Sequence, residues 1–459
     1  MFAIVALVTV VVFVASVGLA LQPGRRHLLI AYAVGSTWVW LVLGYYDATG
    51  YLGTGKSWSF LELMYLCLIA LAWPTSSPAP WTTKSRSVDR PMMILTALVV
   101  LGFLVGGLRP SATGVLGYSK RFLFILTFFV AARILSDPAS LQSLYKAIKV
   151  FVIPTFILHV LLASGVFVPP LPEAALERLT GGYTDLSRVE SLLSPAFYLV
   201  ALAICLTEIL YRRGGVLFNW IIVSLSAIGV LLSQTRSYYL AMGAIVVGAL
   251  VMLRGRIKLA VMVALGFVLV FVLVEVVEVQ LFFRFTQEVR RENAWYRYWH
   301  GWRGQEYGIL ARKFASEPQW LLTGRGFGAT HAAPASEMGF VTYFHNQYLK
   351  VFNSLGLIGL ACHLIIVIGC VFHNRQYAKD PVAGPWLSPA RLIFLSIIPA
   401  EMFGGFLWAP GTGPLLLCFV AIARNGDLIA EAAYRYEYVA DAYEDSYALI
   451  EDAPGYVPT

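Results

Sequence analysis

Three groups of side chains in this 459-residue chain have types and spacings suited to chemistry. The first is His345-Asn346, at the mouth of the apolar run that starts at Gln347. Asparagine is a favoured N-cap, so a helix is expected from Gln347, with His345 at the positive end of its dipole. An imidazole there is suited to accept a proton near neutral pH, and the dipole keeps it neutral. An anionic lipid headgroup is expected to be held at the same helix end. The competing reading is an interfacial histidine that only makes hydrogen bonds. The second group is Arg236, in LLSQTRSYYLAM between two apolar runs. An arginine at mid-membrane costs on the order of 2.5–3.5 kcal/mol, and less near the interface, so it tends to be retained for a partner. Snorkelling to the headgroups is its alternative.

The third group fills 275–344. Arg284, Arg290, Arg291, Arg297, Arg303, Arg312, Lys313 and Arg325 alternate with Trp295, Tyr296, Tyr298, Trp299, Trp302 and Tyr307. Guanidinium forks match phosphate oxygens, and aromatic faces suit sugar rings or the membrane interface. An amphipathic helix on anionic lipid is the alternative. Gly324, Gly326 and Gly328 lack the strand and helix of a nucleotide fingerprint and read as a turn that folds this segment back over the membrane. His300 and His331 share the segment without the helix-start setting, while His27, His159, His363 and His373 read as structural or cytoplasmic. Glu288, Glu292, Glu306, Glu317 and Glu337 are scattered among the arginines with no DxD pattern. Charge on a diphosphate leaving group would then be met by arginine, which implies metal-independent chemistry with no cofactor.

The elements that must position these groups are membrane helices. The chain is 58% hydrophobic and 13% charged, with a mean hydropathy of +0.71, against roughly 25% charged for a soluble domain. Cys67, Cys205, Cys362, Cys370 and Cys418 all lie in apolar runs, which excludes a disulfide framework or a CxxC metal pattern. The net charge of +8 is accounted for by membrane topology, so no nucleic-acid partner is expected. Runs of about spanning length fall at 2–21, 28–46, 58–73, 92–108, 122–135, 148–168, 195–211, 216–233, 238–253, 259–274, 347–372, 392–408 and 414–423. The fold expected is all-α and polytopic, with about 12–13 transmembrane helices. Its parts are a bundle of about ten spans at 1–274, a large external loop at 275–344, C-terminal spans at 345–424 and an acidic, tyrosine-rich tail at 425–459, mobile or lying on the surface. Arg25-Arg26, Lys84, Arg86, Arg90, Lys146, Lys149, Arg212-Arg213, Arg254, Arg256, Lys258, Arg375 and Lys379 alternate onto one side, the cytoplasmic one by the positive-inside rule. The 275–344 loop is then periplasmic and the tail cytoplasmic.

Three motifs, in order, resemble the O-antigen ligase and O-antigen polymerase superfamily of bacterial envelope glycan assembly. They are Ser233-Gln-Thr-Arg236-Ser237 after an apolar run, Arg297 with Trp299 followed by the proline–glycine element at 318–328, and HNxYL at 345–349 followed by GxxGL at 356–360. The resemblance implies a GT-C-like glycosyltransferase of the inner membrane with its active site facing the periplasm. Its partners would be a glycan donor linked to undecaprenyl diphosphate, an acceptor that is either a glycan or a lipid A core, and membrane lipids. Arg236 and Arg297 would hold the diphosphate, and His345 would deprotonate or orient the acceptor hydroxyl, with inversion at the anomeric centre. Asn346 would fix the histidine helix, with Arg303, Arg325, Arg290 and Trp299 as further substrate-binding candidates. A flippase or transporter of lipid-linked glycans is the alternative, and it would require charged residues inside the spans.

Overall fold

The computed structural model describes residues 29–30, 33–35, 86–107, 124–163, 196–233, 236–252, 302–327, 331–332, 340–341, 346–402, 407–408 and 412–437. These residues are overwhelmingly helical, as the sequence predicts. The helices are α1 (Arg86–Gly107), α2 (Leu126–Ile134), α3 (Pro138–Ala163), α4 (Ala196–Leu210), α5 (Val216–Leu232), α6 (Arg236–Met252), α7 (Trp302–Ser316), α8 (Gln347–Phe372), α9 (Gly384–Ala400), α10 (Gly413–Arg424) and α11 (426–437). A two-residue antiparallel ladder pairs His331 with Val341 and Ala332 with Phe340. The runs expected at 2–21, 58–73 and 259–274 lie outside the described residues, as does most of 28–46.

The chain is a membrane protein. Among the described residues three stretches are long and apolar enough to cross a bilayer: Ser87–Gly106, Pro138–Leu161 and Gln347–Lys379. Large apolar side chains such as Ile94, Leu104, Ile157, Val247 and Ile365 stand on the outside of the bundle, a surface suited to lipid rather than water. Inside, α4 is the hub: every one of its residues except Glu208 is buried, and α3, α5, α6 and α9 pack around it. The twelve residues of α10 are all buried.

Several boundaries differ from those expected. Helix α3 starts at Pro138, ten residues before the predicted 148, because Asp137 caps it: its carboxylate accepts from the N–H and hydroxyl of Ser140 at 2.9 and 2.8 Å. Lys146 and Lys149 therefore sit within a helix and not in a loop. Lys149 pairs with Glu208 at 2.6 Å, both side chains largely buried. Helix α9 runs Gly384–Ala400, eight residues earlier than the expected 392–408, with Pro385 in its first turn. Helix α2 has only nine residues, about 14 Å of rise.

Polar contacts gather the basic segments at one end of the bundle. Ser87 meets His373, the Tyr211 hydroxyl donates to the carbonyl of Ala378 at 2.5 Å, and Arg213 lies over the Trp386 ring. The Arg424 guanidinium grips both carboxylate oxygens of Asp89 at 3.1–3.3 Å, and Asn425 donates to the carbonyls of Ala132 and Leu135. Beyond Arg424 the first part of the expected tail is helical. Ile429, Ala430 and Ala433 are buried, Tyr377 donates to Asp427, and Tyr434 bonds Asp380. The stretch after 437 lies outside the described residues.

Removing one partner from a buried ion pair strands the other charge, at about 3–5 kcal/mol. Arg424→Ala should therefore lower the unfolding temperature of the detergent-solubilised protein strongly. The Asp89→Leu/Arg424→Met double variant should recover most of that loss, read in the same thermal assay.

Candidate functional site

Helix α8 begins as the sequence predicts. Asn346 is extended (φ −78°, ψ 122°), and its Oδ1 accepts the N–H groups of Tyr348 and Leu349 at 2.9 and 3.2 Å. Its Nδ2 donates to the Tyr307 hydroxyl at 2.8 Å, which fastens the cap to α7. An apolar contact reinforces that joint: Leu310 and Phe314 of α7 pack with Leu349, Phe352 and Trp320, and the Phe314 and Phe352 rings stack 4.6 Å apart. From the other side, the carbonyl of Glu401 accepts the N–H of Gln347 at 2.9 Å, and the Tyr348 hydroxyl donates to the carbonyl of Ile398 at 2.7 Å. The junction is clamped between α7 and the end of α9.

This clamp changes one expectation. The N–H groups of Gln347, Tyr348 and Leu349, which a free helix end would offer to an anion, are already bonded to Glu401 and Asn346. The dipole remains, but a headgroup phosphate gains no direct bond from these three donors. Side chains must hold it.

Helix α8 is also not one straight span. Gly356 has φ 68° and ψ −168°, which breaks it into 347–355 and 357–372. Straight, fifteen residues of helix would separate positions 348 and 363 by about 22 Å, yet the Tyr348 and His363 rings lie 5.7 Å apart. The chain therefore bends sharply at Gly356, and the loop before the helix heals the break. Arg325 and Gly326 donate N–H to the carbonyls of Asn353 and Ser354 at 2.8 and 3.2 Å, while Leu357 and Ile358 donate to Leu321 and Leu322 at 2.9 and 3.1 Å. Main-chain groups freed in an apolar setting are thus satisfied by another segment, the condition under which a broken helix is tolerated. Phe327 goes further in: it is fully buried, and its N–H reaches the carbonyl of Gly102 in α1 at 3.0 Å. The glycine-rich element is not a turn laid over the bundle, as the sequence suggested, but a strap inserted between α1 and α8.

Beneath the first turn of α8 lies a buried polar set that sequence reading missed. His363 Nε2 and Glu401 Oε2 are 2.8 Å apart, both residues wholly buried. The indole N–H of Trp408 donates to His363 Nδ1 at 3.2 Å, and the N–H of Leu407 donates to Glu401 Oε1 at 3.2 Å. Because an indole nitrogen only donates, Nδ1 is unprotonated and Nε2–H donates to Glu401. Glu401 was legible as the one carboxylate within the apolar run at 392–408. His363 has a structural setting, in agreement with the sequence reading.

Of the expected site residues, Asn346 and Arg325 are described in full. Arg325 is buried and forked onto Glu317, Nε to Oε2 at 3.0 Å and Nη2 to Oε1 at 3.3 Å, which closes the base of the strap. Arg236 is the first residue of α6, and Arg303 lies in the first turn of α7. His345, Arg297, Arg290 and Trp299 lie outside the described residues.

Residues 221–364 match the protein family described as O-antigen ligase. Over these residues the chain is similar to that family. The matched segment opens within α5 and closes within the second half of α8, so it encloses α6, the 275–344 segment, the strap, the Asn346 cap and the break at Gly356. The superfamily expected from the three motifs is the one found. No curated protein matches the chain.

The break in α8 requires glycine. A Cβ on Gly356 would sit 2.3 Å from the carbonyl oxygen of Leu322, and one on Gly324 (φ 81°) 2.4 Å from the backbone of Ser354 and Leu355. Backbone strain of this kind costs about 1–3 kcal/mol before any clash, so Gly356→Ala and Gly324→Ala should each lower the thermal midpoint and abolish activity together. Asn346→Ala loses a cap worth about 0.5–2 kcal/mol. It should lower the midpoint only modestly in the same thermal assay.

Proposed function

We propose that this protein is a membrane glycosyltransferase that moves a glycan from undecaprenyl diphosphate to an acceptor hydroxyl at the periplasmic face of the inner membrane. The observation that carries the reading is the match to the O-antigen ligase family over a segment built around a helix start that is clamped on both sides. The periplasmic orientation is supported by the basic segments collected at the other end of the bundle, cytoplasmic by the positive-inside rule.

In this mechanism Arg236 and Arg297 hold the diphosphate and stabilise the charge that grows as the anomeric carbon–oxygen bond breaks. The acceptor hydroxyl attacks the opposite face of the anomeric carbon and its proton passes to His345, so the new glycosidic bond is inverted and undecaprenyl diphosphate departs. With the three first-turn N–H groups of α8 already engaged, arginine recognition of the phosphates is the consistent choice. Arg303, Arg290 and Trp299 line the donor, and metal independence follows from the absence of an external DxD pattern in the sequence. Arg325 braces the strap through Glu317.

The transporter alternative gains from charge inside apolar helices, Lys149 with Glu208 and, more deeply buried, the Glu401–His363 pair. That pair is enclosed by Trp408 and Leu407, which favours an anchor over a path.

Cells carrying Arg236→Ala or His345→Ala, with normal protein level in the membrane, should accumulate lipid-linked glycan. Full-length glycan on undecaprenyl diphosphate identifies a ligase, single repeat units a polymerase. Unchanged glycan in both variants would remove the transferase reading in favour of transport.

A further inference from the structure

Gln347 is the first residue of α8, next to the proposed base, and only 1% exposed. Its main-chain N–H is bonded to Glu401, but its side-chain Nε2 has no hydrogen-bond partner among the described residues. A buried amide left in this state costs about 1–3 kcal/mol, so a native structure that keeps one needs a reason for it.

The surroundings supply that reason. Asn346, Gln347, Lys350, Asn353 and Ser354 are all buried and recur three or four residues apart, so one buried face of the first half of α8 is polar where apolar packing is the norm. Polar groups kept inside a membrane protein mark the path of a polar ligand. The first turn is held by the Glu401 carbonyl, by Asn346 and by the Tyr348 hydroxyl on Ile398, so the Gln347 side chain projects from a fixed backbone. An amide nitrogen only donates, so its partner is an acceptor atom, and the oxygens of a polar substrate supply one. The positive end of the helix dipole favours an oxygen that carries negative charge, or one attached to a group that does. A diphosphate-linked sugar fits this chemistry better than a neutral acceptor glycan.

We propose that Gln347 is a substrate-contacting residue, donating from Nε2 to a phosphate or first-sugar oxygen of the lipid-linked donor. This rests on the glycosyl-transfer reading above.

The test uses full-length protein in liposomes, with lipid-linked glycan extracted from the native cells as donor. Leucine removes the donor group and the unpaired amide together. Gln347→Leu should therefore keep or raise the thermal midpoint while KM for the lipid-linked donor rises about tenfold, the loss of one hydrogen bond of ordinary to charged strength, and KM for the acceptor stays unchanged. Binding of glycan-free undecaprenyl diphosphate then separates the two sources: weakened binding assigns the contact to phosphate, unchanged binding beside a raised donor KM assigns it to the sugar. A thermal midpoint that falls in step with activity would show a structural partner for the amide and overturn the proposal, as would unchanged kinetics or a change confined to the acceptor. His345→Ala in the same liposomes judges the transfer reading separately. If transfer proves absent from the wild type, weaker binding of the lipid-linked glycan by Gln347→Leu still supports the contact and equal binding overturns it.

Discussion

Four main-chain hydrogen bonds across the break at Gly356 hold the outer end of this bundle in its working shape. A helix interrupted among apolar neighbours leaves carbonyls and N–H groups with nowhere to turn, and each unmet group costs several kcal/mol in lipid. Here the strap at 321–326 meets them on both sides of the break. The bend this permits swings the start of α8 down onto α9, so that Tyr348 lies against His363 and Gln347 bonds to Glu401. Without the break, Tyr348 and the buried Glu401–His363 pair would be separated by about 22 Å, more than one leaflet of a bilayer core.

The same economy of backbone groups governs the chemistry at the helix start. A helix N-terminus is often an anion site, but this one has closed its own donors through Asn346 and Glu401. What it contributes is position and a residual dipole, and charge recognition passes to side chains from other elements. That division suits the proposed site, in which arginines would meet the phosphates while the helix end would discourage a second positive charge at position 345.

Much of this was legible in the chain. The membrane class, the helical fold, the cap at Asn346 and the superfamily all followed from composition, one capping residue and three motifs. Hydropathy misplaced α3 and α9 because it ignores helix-start signals: the Asp137 cap before Pro138, and Pro385 in the first turn of α9. Gly356 was visible as part of GxxGL, but its sharp bend depends on a loop thirty residues upstream, and pairing between distant segments leaves no local periodicity. Glu401 was the plainest missed clue, an acid standing alone in an apolar run, whose partners His363 and Trp408 come from other parts of the chain and leave no local sequence signal.

The strap has a consequence for how the protein is made. Phe327 docks on Gly102, so a segment that is expected to cross the membrane during synthesis must afterwards return to fill a gap beside the first described helix, and it can do so only once α8 has also been threaded. The nascent chain therefore carries no assembled site. The proposed transferase, whose lipid-linked donor would share the bilayer into which it is inserted, would then stay silent until α8 arrives, so the order of translation would itself guard against premature encounters with that lipid.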